Sequence, residues 1–151
     1  MPDSLRLVAL DAEDLAVISA NLQDSLIKLS DMAYLPGSRR FALIAARFDW
    51  VAAAEGKNER CRTGLHFERV LKATCTGFDQ HAKDTCLNLL SVIYEAKDPP
   101  AGRVTLTFSG GAAVRLDVEC LEAQVRDMGP RWGAKTCPAH RLDDATEPQP
   151  G

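Results

Sequence analysis

The amino-acid sequence predicts an α+β fold. We expect a strongly bent, mostly antiparallel sheet or partly open barrel of about seven strands. An N-terminal helix follows the first strand, and a short helix closes the fold at the C-terminal end. Three observations predict this. Arg40 to Trp50, RFALIAARFDW, is apolar on both sides of an extended chain. Phe41, Leu43 and Ala45 face one way; Ala42, Ile44, Ala46, Phe48 and Trp50 face the other. Such a strand needs cover on both faces. Second, Val104, Leu106 and Phe108 and then Val114, Leu116 and Val118 alternate with polar residues around Ser109-Gly110-Gly111, the signature of a hairpin. Third, the connections are short, which favours antiparallel pairing.

The elements follow in order. Leu5 to Leu10 is a short strand, and Asp11 caps a helix with Glu13 and Asp14 in its first turn. Leu15, Ile18 and Leu22 form its apolar stripe, expected to cover one side of the central strand, and the helix ends near Asp24. Ser25 to Leu35 reads as one strand, bulged or at an edge where Asp31 interrupts the apolar side. Pro36-Gly37-Ser38 turns it into the central strand, with proline presetting one dihedral and glycine tolerating the next. Ala53 to Gly64 is polar, basic and glycine-punctuated, and reads as a long loop. Leu65 to Thr76 is a strand, Gly77 to Thr85 a connection, and Leu87 to Ala96 a strand apolar on both faces that Asp98-Pro99-Pro100 ends.

In the hairpin from Arg103 to Glu119 both apolar triplets lie on even numbers. They share a face only across a loop with an odd residue count. A turn over Ser109-Gly110-Gly111, with Gly111 left-handed, sets Phe108 opposite Ala112, Leu106 opposite Val114 and Val104 opposite Leu116. Leu121, Val125 and Met128 fall at helical spacing and predict the C-terminal helix, stopped by Gly129-Pro130. By analogy of architecture alone the arrangement is pleckstrin-homology-like, with that helix plugging one end.

At 151 residues the chain has the length of one domain. Residues 1–129 are expected to form it, with 130–140 a docked extension and 141–151 a disordered tail. No apolar run reaches the roughly 18 residues of a membrane span. MPDSLRLVAL lacks the basic region and long apolar core of a signal peptide. Cytoplasmic localisation is expected, with Cys61, Cys75, Cys86, Cys120 and Cys137 as free thiols. The net charge of −3 is uneven: residues 1–38 hold 2 bases and 6 acids, 39–72 hold 8 and 4, and 73–151 hold 8 and 11. A basic middle in an acidic chain suggests an anionic partner, or simply long solvated cations.

Four stretches are similar to a known family: LVALDAEDLAVISANLQD at 7–24, YLPGSRRFALIAARFDW at 34–50, RLDVECLEA at 115–123 and GPRWGAKTCPAH at 129–140. Together they resemble a bacterial family of small proteins catalogued only as a domain of unknown function. The resemblance spans most of residues 5–140 and implies a single bacterial cytoplasmic domain. It brings no assigned activity and no functional residues.

The residues themselves carry little recognisable chemistry. No Gly-x-Ser-x-Gly elbow, P-loop or dinucleotide fingerprint is present. Cys75, His81 and Cys86 are near in sequence but read as strand and loop residues, and Cys137-x-x-His140 stands alone, so no metal or other cofactor is expected. The leaning is to a non-enzyme: a protein-interaction module, binding another protein or itself, with Trp132 as its anchor in a polar segment. The alternative is an anion or small-molecule binding protein, possible enzyme included, whose pocket gathers Arg39, Arg40, Arg60 and Arg62. An RNA-binding accessory role is a second alternative. Nucleic acid is not the expected partner, and no membrane is.

Overall fold

The computed structural model describes residues 4–134. The elements in chain order are Arg6–Ala9 (β1), Ala12–Leu22 (α1), Leu26–Lys28 (β2), Met32–Leu35 (β3), Arg40–Phe48 (β4), Trp50–Ala54 (α2), Glu59–Phe67 (β5), Val70–Thr76 (β6), Cys86–Ala96 (β7), Gly102–Phe108 (β8), Ala113–Val118 (β9) and Ala123–Gly133 (β10). The strands form one open antiparallel sheet of 10, in the order β1-β10-β5-β4-β2-β7-β8-β9-β6, with β3 also paired to β4. Among the described residues no helix is long and apolar enough to cross a membrane.

The sheet bends so that one face encloses a single core. Phe41, Leu43 and Ala45 of β4, Leu65 and Phe67 of β5, and Val104, Leu106, Phe108, Val114, Leu116 and Val118 of the β8–β9 hairpin share it with Leu15, Ile18 and Leu22 of α1. Asp11 caps α1 as expected, accepting from the Asp14 N–H at 2.8 Å. Such a cap is worth about 1 kcal/mol. The helix packs mainly on β7 rather than on β4, and Ser19 Oγ accepts from the Val92 N–H at 2.9 Å. The hairpin has the expected register, Val104 opposite Leu116 and Leu106 opposite Val114, with Phe108 N–H donating to Ala112. Gly110 and Gly111 both lie at positive φ.

Several expectations fail, each for a physical reason. The strand from Ser25 to Leu35 breaks into β2 and β3 around a 3-10 turn at Leu29–Asp31, where Asp31 was out of pattern. In the turn before β4 the left-handed residue is Arg39, at φ 54°, not Gly37. The long loop does not form. Asp49 accepts from the Ala52 N–H at 3.0 Å and starts α2, and β5 begins at Glu59. Cys61, Thr63, Leu65 and Phe67 alternate inward with Arg60, Arg62, Gly64 and His66, a period of two hidden by polar composition. The strand from Leu65 to Thr76 turns a corner at Glu68-Arg69, where Arg69 has φ 56°. Leu71 is therefore exposed and Val70 buried.

A bulge between Leu89 and Ser91 lets Leu89 and Val92 face the core and leaves Leu90 and Ile93 exposed. The C-terminal helix is absent. Leu121, Ala123 and Val125 are buried at spacings of two, and β10 is paired on both sides, to β1 and β5. Tertiary pairing overrides the helical spacing. With that helix goes the element on which the pleckstrin-homology analogy rested, and the described residues form ten strands rather than about seven. Residues 130–133 continue β10. The expected end of the extension and the tail at 141–151 lie outside the described residues.

Candidate functional site: the open face of the sheet

The odd face of the central strand lies in the core, while its even face is only half-buried as far as Ala46. Its even-numbered side chains Ala42, Ile44 and Ala46 are half-buried and lie outside the core that α1 shares. Residues paired across neighbouring strands point to the same side. The register therefore writes the open face in rows. Ala42, His66, Gln124 and Val8 form one; Ile44, Gly64, Arg126 and Arg6 the next; Ala46 and Arg62 a third; Phe48, Arg60 and Trp132 the last.

The first two rows hold a cleft of roughly 430 Å³, with Arg40 and Met128 also at its wall. Its floor is apolar and low. Gly64 has no side chain, and a Cβ there would stand 2.9 Å from Met128 Sδ, so the methionine lies over the glycine. Its rim is cationic. Arg6 and Arg126 are exposed and directly opposite each other, and among the described residues neither has a carboxylate partner. At the other side of the cleft, Glu68 accepts from Arg40 Nε at 2.8 Å and lies 2.6 Å from His66 Nδ1. Burial alone would push the Glu68 carboxyl up; hydrogen bonds from Arg40 and His66, with their charges, hold it below the ordinary range. His66 Nε2 meets Gln124 Oε1 at 3.1 Å.

The arginines singled out from sequence do not come together as a group. Arg39 sits in the β3–β4 turn and is paired with Glu119. Arg40 starts β4 and lines the cleft. Arg60 and Arg62 pair with Phe48 and Ala46 near the far end of the β4–β5 ladder. Six residue steps along β4 separate Arg40 from Ala46, about 20 Å of extended chain. Arg60 is also committed, donating to Ala46 and Asp24 carbonyls at 2.9 and 3.2 Å with its guanidinium 5.5 Å from the Phe48 ring centre. Arg62 is exposed. Trp132 is 44% exposed beside Arg60. Phe48, on the even side of β4, is nonetheless fully buried, with the Trp50 ring centre 4.7 Å from its own and the Arg60 guanidinium against it; Trp50 is half-buried in α2 and donates to Gln23 O at 3.1 Å.

Behind this face lies a polar cluster. Asp127 accepts from Arg47 Nε and Nη2 at 3.0 and 2.6 Å, from the Leu5 N–H at 2.8 Å and from Thr63 Oγ1 at 2.7 Å. Arg131 pairs with Asp49 and approaches Asp127 at 3.8 Å. Burial would raise the Asp127 carboxyl, but the bonds from Arg47, Leu5 and Thr63 and the Arg47 charge hold it below the ordinary carboxylate range. Next to it the Cys61 thiol is pushed up, by burial first and then by the Asp127 charge. A second cleft of roughly 530 Å³ opens over Arg47, Asp49 and Arg131, rimmed by Lys57, Glu55 and Glu59. Asp127 has its oxygens occupied by donors from three other residues, Arg47, Leu5 and Thr63, so the cluster ties the chain just before β1 to β4, β5 and β10.

Sequence reasoning passed over Arg6, Arg126 and Asp127. Arg47 was the available signal: it shares the odd side of β4 with Phe41, Leu43 and Ala45, and a cation on a buried face must bring a carboxylate. Among the described residues no three His, Cys, Asp or Glu side chains group closely enough to hold a metal. Cys137 and His140 lie outside the described residues. No curated protein and no solved structure matches the chain. A family model described as protein of unknown function (DUF2948) matches residues 5–140, and the chain belongs to that family.

Proposed function

We propose that this chain is a non-catalytic binding module that takes an anionic ligand with an apolar body on the open face of its sheet. One observation carries the reading: Arg6 and Arg126 oppose each other across β1 and β10, with no carboxylate partner among the described residues, at the edge of an apolar-floored cleft. Like charges directly opposite on a sheet repel. An anion placed between them turns that repulsion into two charge-assisted contacts. The cleft volume is in the range of small-molecule sites, about 300–1,000 Å³. Of the four arginines expected at an anion pocket, Arg40 lines this one. The reading places the module in a bacterial cytoplasm, which the free thiols of Cys61, Cys75, Cys86 and Cys120 support.

The test is calorimetric titration with benzoate and with its neutral counterpart benzamide. Benzoate should bind and benzamide should not, and Arg6→Ala and Arg126→Ala should each weaken benzoate about tenfold, the loss of one charge-assisted bond. Equal binding of the neutral compound, or unchanged binding in both variants, removes the reading.

A protein partner is the second reading, and exposed Trp132 on the same face favours it. It predicts that Trp132→Ala weakens capture of an acidic protein while leaving benzoate affinity unchanged.

A further inference from the structure

The charge count at the cleft narrows the ligand. Arg6, Arg126 and Arg40 are its arginines, and Arg40 is neutralised by Glu68. Two guanidiniums remain, on Cα partners, facing the same way. A carboxylate carries one negative charge and leaves one of them uncompensated. A phosphomonoester carries close to two at neutral pH and offers three acceptor oxygens, enough for two planar forks. The same row continues through Gly64 to Ile44, so a group attached to the anion passes over bare backbone onto an apolar side chain. Met128, an adaptable thioether, lies over Gly64 and forms a wall that can move to suit that group.

We infer that the anion recognised is a phosphomonoester dianion, held between Arg6 and Arg126 with its organic part against Ile44, Gly64 and Met128. This rests on the anion-binding reading above and deepens it. The shared chemistry has two sources, a small phosphorylated molecule or a phosphorylated side chain.

The experiment uses the full chain near pH 7.5 and three probes with one aromatic body: phenyl phosphate, its methyl diester and benzoate. Phenyl phosphate should bind at least about tenfold more tightly than either monoanion, because a monoanion can touch both arginines but only the dianion compensates the charge of both. Arg6→Ala and Arg126→Ala should each collapse that preference to about threefold or less, and Arg126→Lys, which keeps the charge but loses the fork, should fall between. Both side chains are exposed, and unchanged thermal unfolding confirms that the variants fold. Binding of all three probes within about threefold of one another overturns the dianion while leaving the anion site standing. Failure of all three to bind overturns both. A phosphoserine peptide then separates the sources. Tighter binding than phenyl phosphate assigns a phosphorylated chain, weaker binding a small molecule, and the dianion is the recognised group in either case.

Discussion

The two faces of the β1–β10–β5–β4 sheet treat arginine in opposite ways. On the inner face Arg47 and Arg131 are paired with Asp127 and Asp49, and the Arg47 and Asp127 side chains are only 4% and 3% exposed. On the outer face Arg6 and Arg126 are exposed and, among the described residues, have no carboxylate partner. An ion removed from water must bring its counter-ion, since leaving it alone costs several kcal/mol. An ion in water has no such obligation. Its lack of a partner leaves its charge available to something else. The inner pair therefore reads as architecture and the outer pair as a place of exchange.

The comparison can be broken most decisively from inside. Asp127→Ala strands Arg47 without its carboxylate and leaves the Leu5 N–H and Thr63 hydroxyl unanswered. It should cost about 3–5 kcal/mol in urea unfolding at neutral pH. Removing Arg47 as well should cost clearly less than the sum of the two single changes, because the second change relieves the stranded charge. A loss below about 1 kcal/mol for Asp127→Ala would mean that the cluster holds nothing together.

Acid should produce the next effect. The Asp127 carboxyl is held below its unfolded value, so the folded state binds fewer protons there than the unfolded one. Its contribution is fully present above the unfolded value of about 3.9 and is lost as pH falls through the depressed folded value. Glu68 shifts in the same direction and adds to the trend, with less weight because it is partly exposed. Stability measured from pH 6 downward should fall, and Asp127→Asn should flatten the fall.

Thiol labelling gives a smaller, local readout. Cys61 is buried, its thiol is pushed up, and its Sγ lies 3.7 Å from Gly129 O behind the open face. Iodoacetamide should modify exposed Cys86 first and Cys61 much later. Asp127→Asn should speed Cys61 alone. Equal rates for the two cysteines in the parent chain would show that the inner face already opens freely.

The smallest expected change comes from outside. Arg126→Ala should alter stability by no more than about 0.5 kcal/mol, with a slight gain from relieving the repulsion with Arg6. A large loss would mean that the outer arginines are structural after all, and would merge the two faces into one case.

Local signals in the sequence read true. The Asp11 cap, the Leu15–Ile18–Leu22 stripe and the parity of the Arg103–Glu119 hairpin all depend on neighbours within a few residues, and all are present. The failures come where two periods fit the same residues. Leu121, Val125 and Met128 satisfy a helix, while Leu121, Ala123 and Val125 satisfy a strand, and the choice is made by β1 and β5, which lie far away in sequence. The site was invisible for the same reason. Arg6 and Arg126 become neighbours only because the first and last strands pair, and no spacing within the sequence announces that. Arg40 was legible as a cation beside a turn, but not that Glu68 would occupy it.

The irregularity in β10 has a consequence for how this chain can change length. Between Asp127 and Arg131 the strand takes four steps while β5 takes two, from Thr63 to Cys61, so two extra residues are looped out around Gly129, at φ 103°, and Pro130. Because the surplus is even, alternation survives it: Asp127 and Arg131 both turn inward, and Arg126 and Trp132 both turn outward. A deletion of one residue among 128–130 would exchange the sides of everything beyond it, driving Trp132 inward and pulling Arg131 away from Asp49. A deletion of two would shorten the bulge and leave every later residue on its own side. Length variation in this segment should accordingly be tolerated in steps of two.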